Sequence, residues 1–268
     1  MLIVSGTMSA LNVGPVLCVL TGASRGFGRS LALELCPRIH PNSALLLVSR
    51  TEGALRELEG VIRCQFPQMR VSWVTADLGT GEGISATVRA AGELREQVNV
   101  QRLVIINNAG SLGDISKYFV DLCDHDEVTK YMSFNVSSPL CLTSSLLKIF
   151  PACPGLHRNV VNITSLCALQ PYKSWTLYCS GKAARDMMFR VLAEEEKEIR
   201  VLSYAPGPMD TDMFEVARSQ SADPELLQAL KDIHAKGTLI EPSVSAKKLV
   251  GLLDDDSYKS GSHVDFYD

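Results

Sequence analysis

Three side chains in the second half of the sequence have the types and order of a proton-transfer site. Tyr178 and Lys182 stand four residues apart in a predicted helix over Trp175–Ile199, which would place them on one helix face. A free tyrosine titrates near pH 10, and an adjacent ammonium lowers that pKa. Ser165 follows an apolar run upstream, where its hydroxyl could bond a carbonyl oxygen as charge builds on it. The trio predicts general-acid reduction of a carbonyl, although Tyr-x-x-x-Lys alone arises by chance in about one of two such chains.

A glycine-rich loop near the start supplies the second candidate site. The segment Thr21–Gly28, with the sequence TGASRGFG, follows an apolar run and opens a predicted helix. Gly22 would permit the tight turn, Gly26 the approach of a pyrophosphate, and Gly28 the packing of helix on strand. The helix N-terminus would present N–H groups to the phosphates. The loop is therefore predicted to bind a dinucleotide through Gly22, Ala23, Ser24, Arg25, Gly26, Phe27 and Gly28.

The same loop also fits the G-x-S-x-G nucleophile elbow of hydrolases, with Ser24 as nucleophile. That alternative leaves Gly28 unexplained, and the sequence has no HGGG-type oxyanion segment. The dinucleotide interpretation accounts for all three glycines and is the one we adopt.

The end of the second apolar run bears on the choice of cofactor. Arg50 stands where NAD enzymes usually place an acidic residue, and Thr51 follows it. A guanidinium is a bidentate partner for a 2′-phosphate, and Arg25 could approach the same group. The alternative is two solvated surface arginines. This position therefore predicts NADPH rather than NADH.

Residues at the ends of two further predicted strands are also expected to contact the cofactor. Asp77 and Leu78 follow the third apolar run, where an acidic side chain could bond the adenine amine. Asn108 lies in Asn107–Gly110, whose small residues suit a backbone that lies against a cofactor. Each alone would be an ordinary strand-to-turn transition.

Short apolar runs that alternate with helical stretches must position these groups. The runs are continuous, as expected for strands covered on both faces. The pattern predicts an α/β fold, a single-domain doubly wound parallel sheet with helices on both faces. We expect a loose tail over residues 1–14, one domain over 15–268, and an irregular excursion over 207–242 that is either a substrate lid or a passive insertion. The predicted strands are Val16–Leu20, Ala44–Ser49, Val71–Ala76, Leu103–Asn107, Val160–Thr164 and Val201–Tyr204, and the predicted helices are Gly28–Cys36, Glu52–Phe66, Glu82–Val98, Asp126–Ile149, Trp175–Ile199 and Pro224–Lys236.

Composition narrows the class of protein. The net charge is −4 and 46% of the residues are hydrophobic, which argues against a nucleic-acid binder and against a disordered chain. Eight cysteines without C-x-x-C spacing and five histidines predict free buried thiols rather than zinc ligands. No secretory signal and no membrane-length apolar run stand out. We therefore expect a cytoplasmic protein without a metal.

The glycine loop, Asn107–Gly110, Asn135, Ser165 and the Tyr178/Lys182 pair together resemble the short-chain dehydrogenase/reductase family. The resemblance implies a Rossmann-type domain, a Lys182 that also bonds the nicotinamide ribose, and an Asn135 that holds a relay water. A cap or packing role is the alternative for Asn135. The resemblance also implies a homodimer, built on the helices of Asn135 and Tyr178. The segment that would contact the nicotinamide end includes Met209, Asp210, Thr211, Asp212 and Met213.

A closer resemblance links three segments, 108–114, 165–171 and 262–268, to the pterin-reducing members of that family. It implies the final NADPH-dependent ketone reductions of tetrahydrobiopterin synthesis, with Asp265 as anchor of the pterin's amino-pyrimidine edge. One carboxylate can accept two parallel N–H bonds from that edge. The implied substrate residues are Ser165, Leu166, Tyr178, Gly207 and Asp265. The alternatives are a solvated terminal charge at Asp265, a broad-range diketone or quinone reductase, and a cofactor-binding regulator without turnover.

Overall fold

The computed structural model describes residues 10–268, in which seven parallel strands form one sheet. The spatial order is β3-β2-β1-β4-β5-β6-β7, so the chain winds outward from β1 in both directions. The predicted doubly wound class is confirmed. The strands are Val16–Thr21 (β1), Ala44–Ser49 (β2), Arg70–Thr75 (β3), Arg102–Asn107 (β4), His157–Ile163 (β5), Ile199–Ala205 (β6) and Ser262–Asp265 (β7).

Helices cover both faces of the sheet because its strands are apolar on both sides. Leu45 of β2 belongs to one apolar cluster, with the helices that follow β1 and β2 and the last helix of the chain. Leu46 belongs to the other cluster, with three helices from the middle of the chain. On the first face lie Gly26–Leu35 (α1), Glu52–Gln65 (α2) and Pro242–Asp255 (α9); on the second lie Gly81–Gln97 (α3), Ser138–Ile149 (α5) and Thr176–Glu195 (α6), and α5 is preceded by His125–Met132 (α4).

From β1 the chain adds strands first on one side of the sheet and then, starting with β4, on the other. The carboxyl ends of β1 and β4 are therefore the expected binding crevice. Side-chain hydrogen bonds join the end of β1 to the segment that follows β4. The Thr21 hydroxyl accepts the backbone N–H groups of Asn108 and Ala109, each at 3.0 Å. The Asn108 amide in turn donates to the Thr21 carbonyl at 2.9 Å. The glycine loop and the Asn107–Gly110 segment therefore form one unit.

The expectation of a loose tail over residues 1–14 is partly wrong. Residues 1–9 of the predicted tail lie outside the described residues. Ala10–Asn12 form a single 3-10 turn, and Leu11 is fully buried in the core beneath α1, α2 and α9. Its backbone N–H donates to the Asp254 carboxylate at 3.3 Å. One apolar side chain thus orders a segment that few sequence signals mark.

Three element predictions need correction. The predicted helix Asp126–Ile149 is two helices, α4 and α5, joined by a π-helical turn over Ser133–Ser137. The excursion over 207–242 holds two helices, Asp212–Gln220 (α7) and Pro224–Ala235 (α8), of which only the second was predicted. β7 was missed because its four half-buried residues include a serine, a histidine and an aspartate. Within residues 10–268 we find no helix that is both long and apolar enough to cross a membrane.

Candidate active site

The structure brings Ser165, Tyr178 and Lys182 together at the carboxyl edge of β5. Tyr178 and Lys182 lie on the first two turns of α6, and both are buried. The Lys182 ammonium donates to the Ile163 carbonyl at 2.7 Å and lies 5.5 Å from the centre of the Tyr178 ring. Ser165 follows β5, and its Oγ accepts the Cys167 N–H at 3.2 Å. The predicted trio therefore shares one small volume.

Burial sets the protonation states of this trio. Burial raises the pKa of Tyr178 well above its ordinary value, as does nearby Cys167, while a hydrogen bond with Ser165 opposes the rise. Burial has the opposite effect on an amine, because the charged form is the protonated one. It lowers the pKa of Lys182 to about 7, and the nearby Arg185 charge lowers it further. In the chain itself, the expected lowering of the tyrosine pKa is therefore not met. The phenol stays protonated at neutral pH, which is the form that a proton donor requires.

A buried arginine that the sequence analysis did not identify joins the strand ends that line the crevice. Arg185 lies one turn after Lys182 on α6 and is 1% exposed. Its guanidinium donates to the carbonyls of Asn107 and Ala109 and, at 2.8 Å, to the side chain of Asn162 on β5. Five N–H groups in one planar fork suit it to join three acceptors. Arg185 thus ties α6 to the ends of β4 and β5.

Asn135 sits in the π-helical turn between α4 and α5, with 4% of its surface exposed. Its Oδ1 accepts the Ser111 N–H at 2.8 Å. Its Nδ2 donates to the Ser111 hydroxyl at 3.1 Å and to the Tyr131 carbonyl at 3.0 Å. The side chain therefore holds the loop after β4, at Ser111, against the helices, which agrees with the packing alternative. A relay water at this residue stays a prediction.

The glycine loop has the geometry of a phosphate cradle. Gly22 adopts φ +67° and Gly26 φ +53°, in the left-handed region that favours glycine. A Cβ on Gly28 would lie 2.2 Å from the Gly22 carbonyl oxygen, so only glycine lets α1 start this close to β1. Arg25 precedes α1 and makes no side-chain cap, which leaves the helix N-terminus to an anion. These features fit a dinucleotide pyrophosphate.

The remaining loop residues are divided between core and surface. Ala23 is fully buried, and the Phe27 ring stacks on Tyr204 at 6.3 Å in the core, so Phe27 can offer a cofactor only its backbone. Arg25 forms an exposed ion pair with Asp212 at 2.6 Å. A Cβ on Gly26 would lie 3.4 Å from Thr211. The loop therefore meets the 209–213 segment, a contact that sequence spacing did not predict.

The residues predicted to bind the 2′-phosphate and the adenine lie at the ends of β2 and β3. Arg50 and Thr51 are exposed just after β2, and the Arg50 guanidinium lies 6.0 Å from the centre of the Phe134 ring. Asp77 is exposed after β3, where its Oδ1 accepts the Gly79 N–H at 2.9 Å, and Leu78 is buried. An exposed guanidinium held over an aromatic ring is available to a phosphate.

Asp265 ends β7 at the same sheet edge as the reactive trio. It is paired in register with Ala205 at the end of β6, and Gly207 follows two residues later with φ +76°. The Asp265 Oδ1 accepts the Tyr267 N–H at 3.0 Å. A carboxylate offers about four acceptor sites, so most of its capacity remains for a ligand.

A row of aromatic rings extends from Tyr178 through Trp175 to Tyr172. The Tyr172 and Trp175 rings are 5.8 Å apart, and Trp175 meets the Tyr178 ring edge-on at 5.6 Å. Burial is the main cause that raises the pKa of Tyr172, and the nearby thiols and the Asp265 charge add to it. Trp175 Nε1 donates to the Ser221 hydroxyl at 3.0 Å, which ties the row to the end of α7. Leu166, also near the trio, is 39% exposed.

The eight cysteines are free thiols, as predicted, but four of them are exposed rather than buried: Cys64, Cys123, Cys141 and Cys153. Cys167 and Cys179 flank the trio, and a hydrogen bond from Cys167 lowers the pKa of Cys179 to about 7. In the described part of the chain, no cluster of three or more potential ligands is arranged for a metal ion.

Comparison with known proteins decides the family. Residues 17–222 match the family model described as short chain dehydrogenase. The chain belongs to the short-chain dehydrogenase family. It is similar to a sepiapterin reductase of Xenopus tropicalis, with 66% identity over 256 residues, 96% of this chain and 98% of that protein. It is 30% identical over 243 residues to a benzil reductase of Bacillus subtilis that forms (S)-benzoin, which covers 89% of this chain and 93% of that protein.

Solved structures share this fold. The crystal structure of L-sorbose reductase from Gluconobacter frateurii, complexed with NADPH and L-sorbose, superposes with a TM-score of 0.77 at 25% identity, over 95% of this chain and 96% of that one. As a short-chain dehydrogenase, the chain is an oxidoreductase that acts on ketone or alcohol groups with a nicotinamide dinucleotide.

Proposed function

We propose that this short-chain dehydrogenase catalyses the last NADPH-dependent reductions of tetrahydrobiopterin synthesis. Its substrates are sepiapterin, which gives 7,8-dihydrobiopterin, and 6-pyruvoyl-tetrahydropterin, which gives tetrahydrobiopterin. Similarity to the Xenopus tropicalis sepiapterin reductase supports the substrate class. The observation that carries the proposal is the Asp265 carboxylate, placed at the end of β7 on the edge that holds Ser165 and Tyr178.

The cofactor-binding residues follow from the crevice. NADPH supplies the hydride when it is bound. The Gly22–Gly28 loop, including Ser24, and the N-terminus of α1 hold its pyrophosphate. Arg50, Thr51 and Arg25 would hold the 2′-phosphate, and Asp77 and Leu78 would contact the adenine. Asn108, the Lys182 ammonium and the segment of Met209, Asp210, Thr211, Asp212 and Met213 would hold the nicotinamide half, with Lys182 bonding its ribose.

Three side chains perform the proton chemistry. The Ser165 hydroxyl and the Tyr178 phenol both bond the substrate carbonyl oxygen, and negative charge builds there as the carbonyl carbon is reduced. Tyr178 then gives its proton to that oxygen, which it can do because burial keeps the phenol protonated. The Lys182 ammonium stabilises the phenolate that remains. A water held near Asn135 returns a proton from solvent.

The rest of the substrate site lies between the reactive trio and β7. Asp265 accepts paired N–H bonds from the amino-pyrimidine edge, and Leu166 and Gly207 line the space between. Residues 15–268 act as one catalytic domain, and the 207–242 excursion acts as a lid over this space. The tie from Trp175 to Ser221 anchors that lid beside the aromatic row.

The assembly is a homodimer in the cytoplasm. Leu140 on α5 and Met187 and Val191 on α6 are 50%, 55% and 44% exposed, and these apolar side chains suit a contact between copies of the chain. Free thiols, four of them exposed, suit a reducing compartment.

A broad-range diketone reductase is the second candidate, favoured by the similarity to the benzil reductase. Replacement of Asp265 by alanine separates the two. For a pterin enzyme, Asp265→Ala should lower kcat/KM for sepiapterin by about thirtyfold to a thousandfold, because two charge-assisted donors lose their acceptor. A small diketone lacks those donors and should react almost as before. Equal losses on both substrates, or no loss on either, would contradict the pterin assignment.

A further inference from the structure

A row of polar side chains crosses four strands of the sheet near the carboxyl edge where Ser165, Tyr178 and Lys182 lie. Asn107, Asn162, Ser203 and His263 are register partners on four neighbouring strands, β4 to β7. The Asn162 amide donates to the Ser203 hydroxyl at 3.1 Å. All four project to the face of the sheet that α5 and α6 cover, since Val264, between His263 and Asp265, packs on the opposite face. Polar groups at this depth require partners.

Asp186 of α6 joins this row to β7. Its Oδ1 accepts the Asn162 amide at 2.9 Å, and its Oδ2 lies 2.6 Å from His263 Nδ1. Because a carboxylate only accepts, the imidazole Nδ1 carries the proton and donates it. The Asp186 and His263 side chains are only 9% and 15% exposed. This is a short, charge-assisted bond shielded from water.

β7 depends on such a tie. It is a four-residue edge strand whose one partner strand within residues 10–268 is β6. Asp265 lies two residues after His263 on the same face, at the free end of the strand. Tyr178, Lys182 and Asp186 succeed one another at four-residue intervals on α6. One helix face therefore carries both the proton donor and the residue that holds β7.

We propose that Asp186 and His263 are positioning residues, which set the distance between the pterin-binding carboxylate of Asp265 and the proton donor Tyr178. The pair touches neither substrate nor cofactor and acts through the register of β7 against α6. The proposal rests on the proposed function, because it assigns Asp265 to the substrate. It makes the pair a determinant of pterin specificity.

The matched variants are His263→Ala, which breaks the bond, and His263→Asn, whose amide can donate from the place of Nδ1. His263 Nε2 has no hydrogen-bond partner among the described residues, so the asparagine loses nothing on that side. Ser262→Ala is the control on the same strand, since its buried hydroxyl is likewise unpartnered within residues 10–268. Each variant is assayed with NADPH and either sepiapterin or a small diketone.

We expect His263→Ala to raise KM for sepiapterin roughly tenfold, with kcat almost unchanged, because misplacement by about 1 Å weakens a directed contact. His263→Asn should restore most of the affinity. Diketone kinetics, NADPH affinity and the Ser262→Ala variant should stay at the wild-type level. The double variant His263→Ala/Asp265→Ala should bind sepiapterin no worse than Asp265→Ala alone, since the histidine acts through the aspartate.

Equal losses of kcat on both substrates, or a full additional loss in the double variant, would overturn the positioning role. A selective effect of Asp265→Ala without one of His263→Ala would overturn it too, and would leave the proposed function intact. If Asp265→Ala itself spares sepiapterin, the pterin assignment falls and the positioning role falls with it. Thermal unfolding of each variant checks that the fold survives.

Discussion

Replacement of Tyr178 by phenylalanine removes the proposed proton donor and little else. The ring packs edge-on against Trp175, and phenylalanine keeps that contact. The hydroxyl is hydrogen-bonded to Ser165, and loss of that bond costs about 1 kcal/mol of stability. The fold should therefore survive the change.

The expected loss of activity is much larger than the loss of stability. A positioned general acid contributes about a hundredfold to ten-thousandfold to a proton-transfer step. The buried site offers no obvious replacement: the Lys182 ammonium is bound to the Ile163 carbonyl, and Ser165 has a far higher pKa than a phenol. We therefore expect kcat for sepiapterin to fall at least about a hundredfold.

The assay is NADPH consumption with saturating sepiapterin, together with NADPH affinity by fluorescence. The control is Tyr131→Phe, a second buried tyrosine whose pKa burial also raises and whose side chain has no role in the proposed proton path. NADPH affinity should barely change in either variant. Retention of most activity by Tyr178→Phe, or an equal loss in Tyr131→Phe, would refute the assignment of the proton donor.

Three further predictions concern charges around the crevice. Arg50→Asp should shift the preference for NADPH over NADH by about tenfold or more, measured as the ratio of kcat/KM values, whereas Arg70→Asp at the start of β3 should not. An unchanged ratio would mean that Arg50 does not bind the 2′-phosphate. Burial lowers the pKa of Lys182 from 10.5 to about 7, so the unfolded chain binds more protons between these values and stability rises with pH across that window. Urea unfolding without cofactor should show roughly 2 kcal/mol of gain from pH 7 to pH 9 that Lys182→Met lacks, and equal slopes would contradict the shift. Iodoacetamide should label Cys179 with a midpoint near pH 7, while Cys18, whose pKa burial raises, should stay unlabelled. Peptide mass spectrometry measures the labelling of each thiol, and a midpoint near pH 9 for Cys179 would contradict the prediction.

Six strands and the site trio were predictable because their signals are local. Continuous apolar runs mark buried parallel strands, and the four-residue spacing of Tyr178 and Lys182 marks a helix face. The position of the glycine loop between a strand and a helix was predictable for the same reason. β7 was not, because a short edge strand with alternating polar residues resembles a loop.

The missed residues act through long-range contacts. Arg185 bonds the Asn107 carbonyl across 78 positions, and the His263–Asp186 bond spans 77. Neither residue type nor spacing reveals such a contact, since a helical arginine is ordinarily solvated. The π-helical turn at Asn135 also escaped prediction, because no local propensity distinguishes it from the flanking helices. No motif or spacing marks Tyr172 and Trp175 as neighbours of Tyr178.

The central claim is that this chain reduces a pterin side-chain ketone at the expense of NADPH. The most direct measurement follows the ultraviolet absorbance of NADPH after sepiapterin is added to the wild-type protein, with the pterin product identified by chromatography. The account predicts one 7,8-dihydrobiopterin formed for each NADPH oxidised, at a kcat/KM well above that for a small diketone. NADPH consumption with the diketone but none with sepiapterin would contradict it.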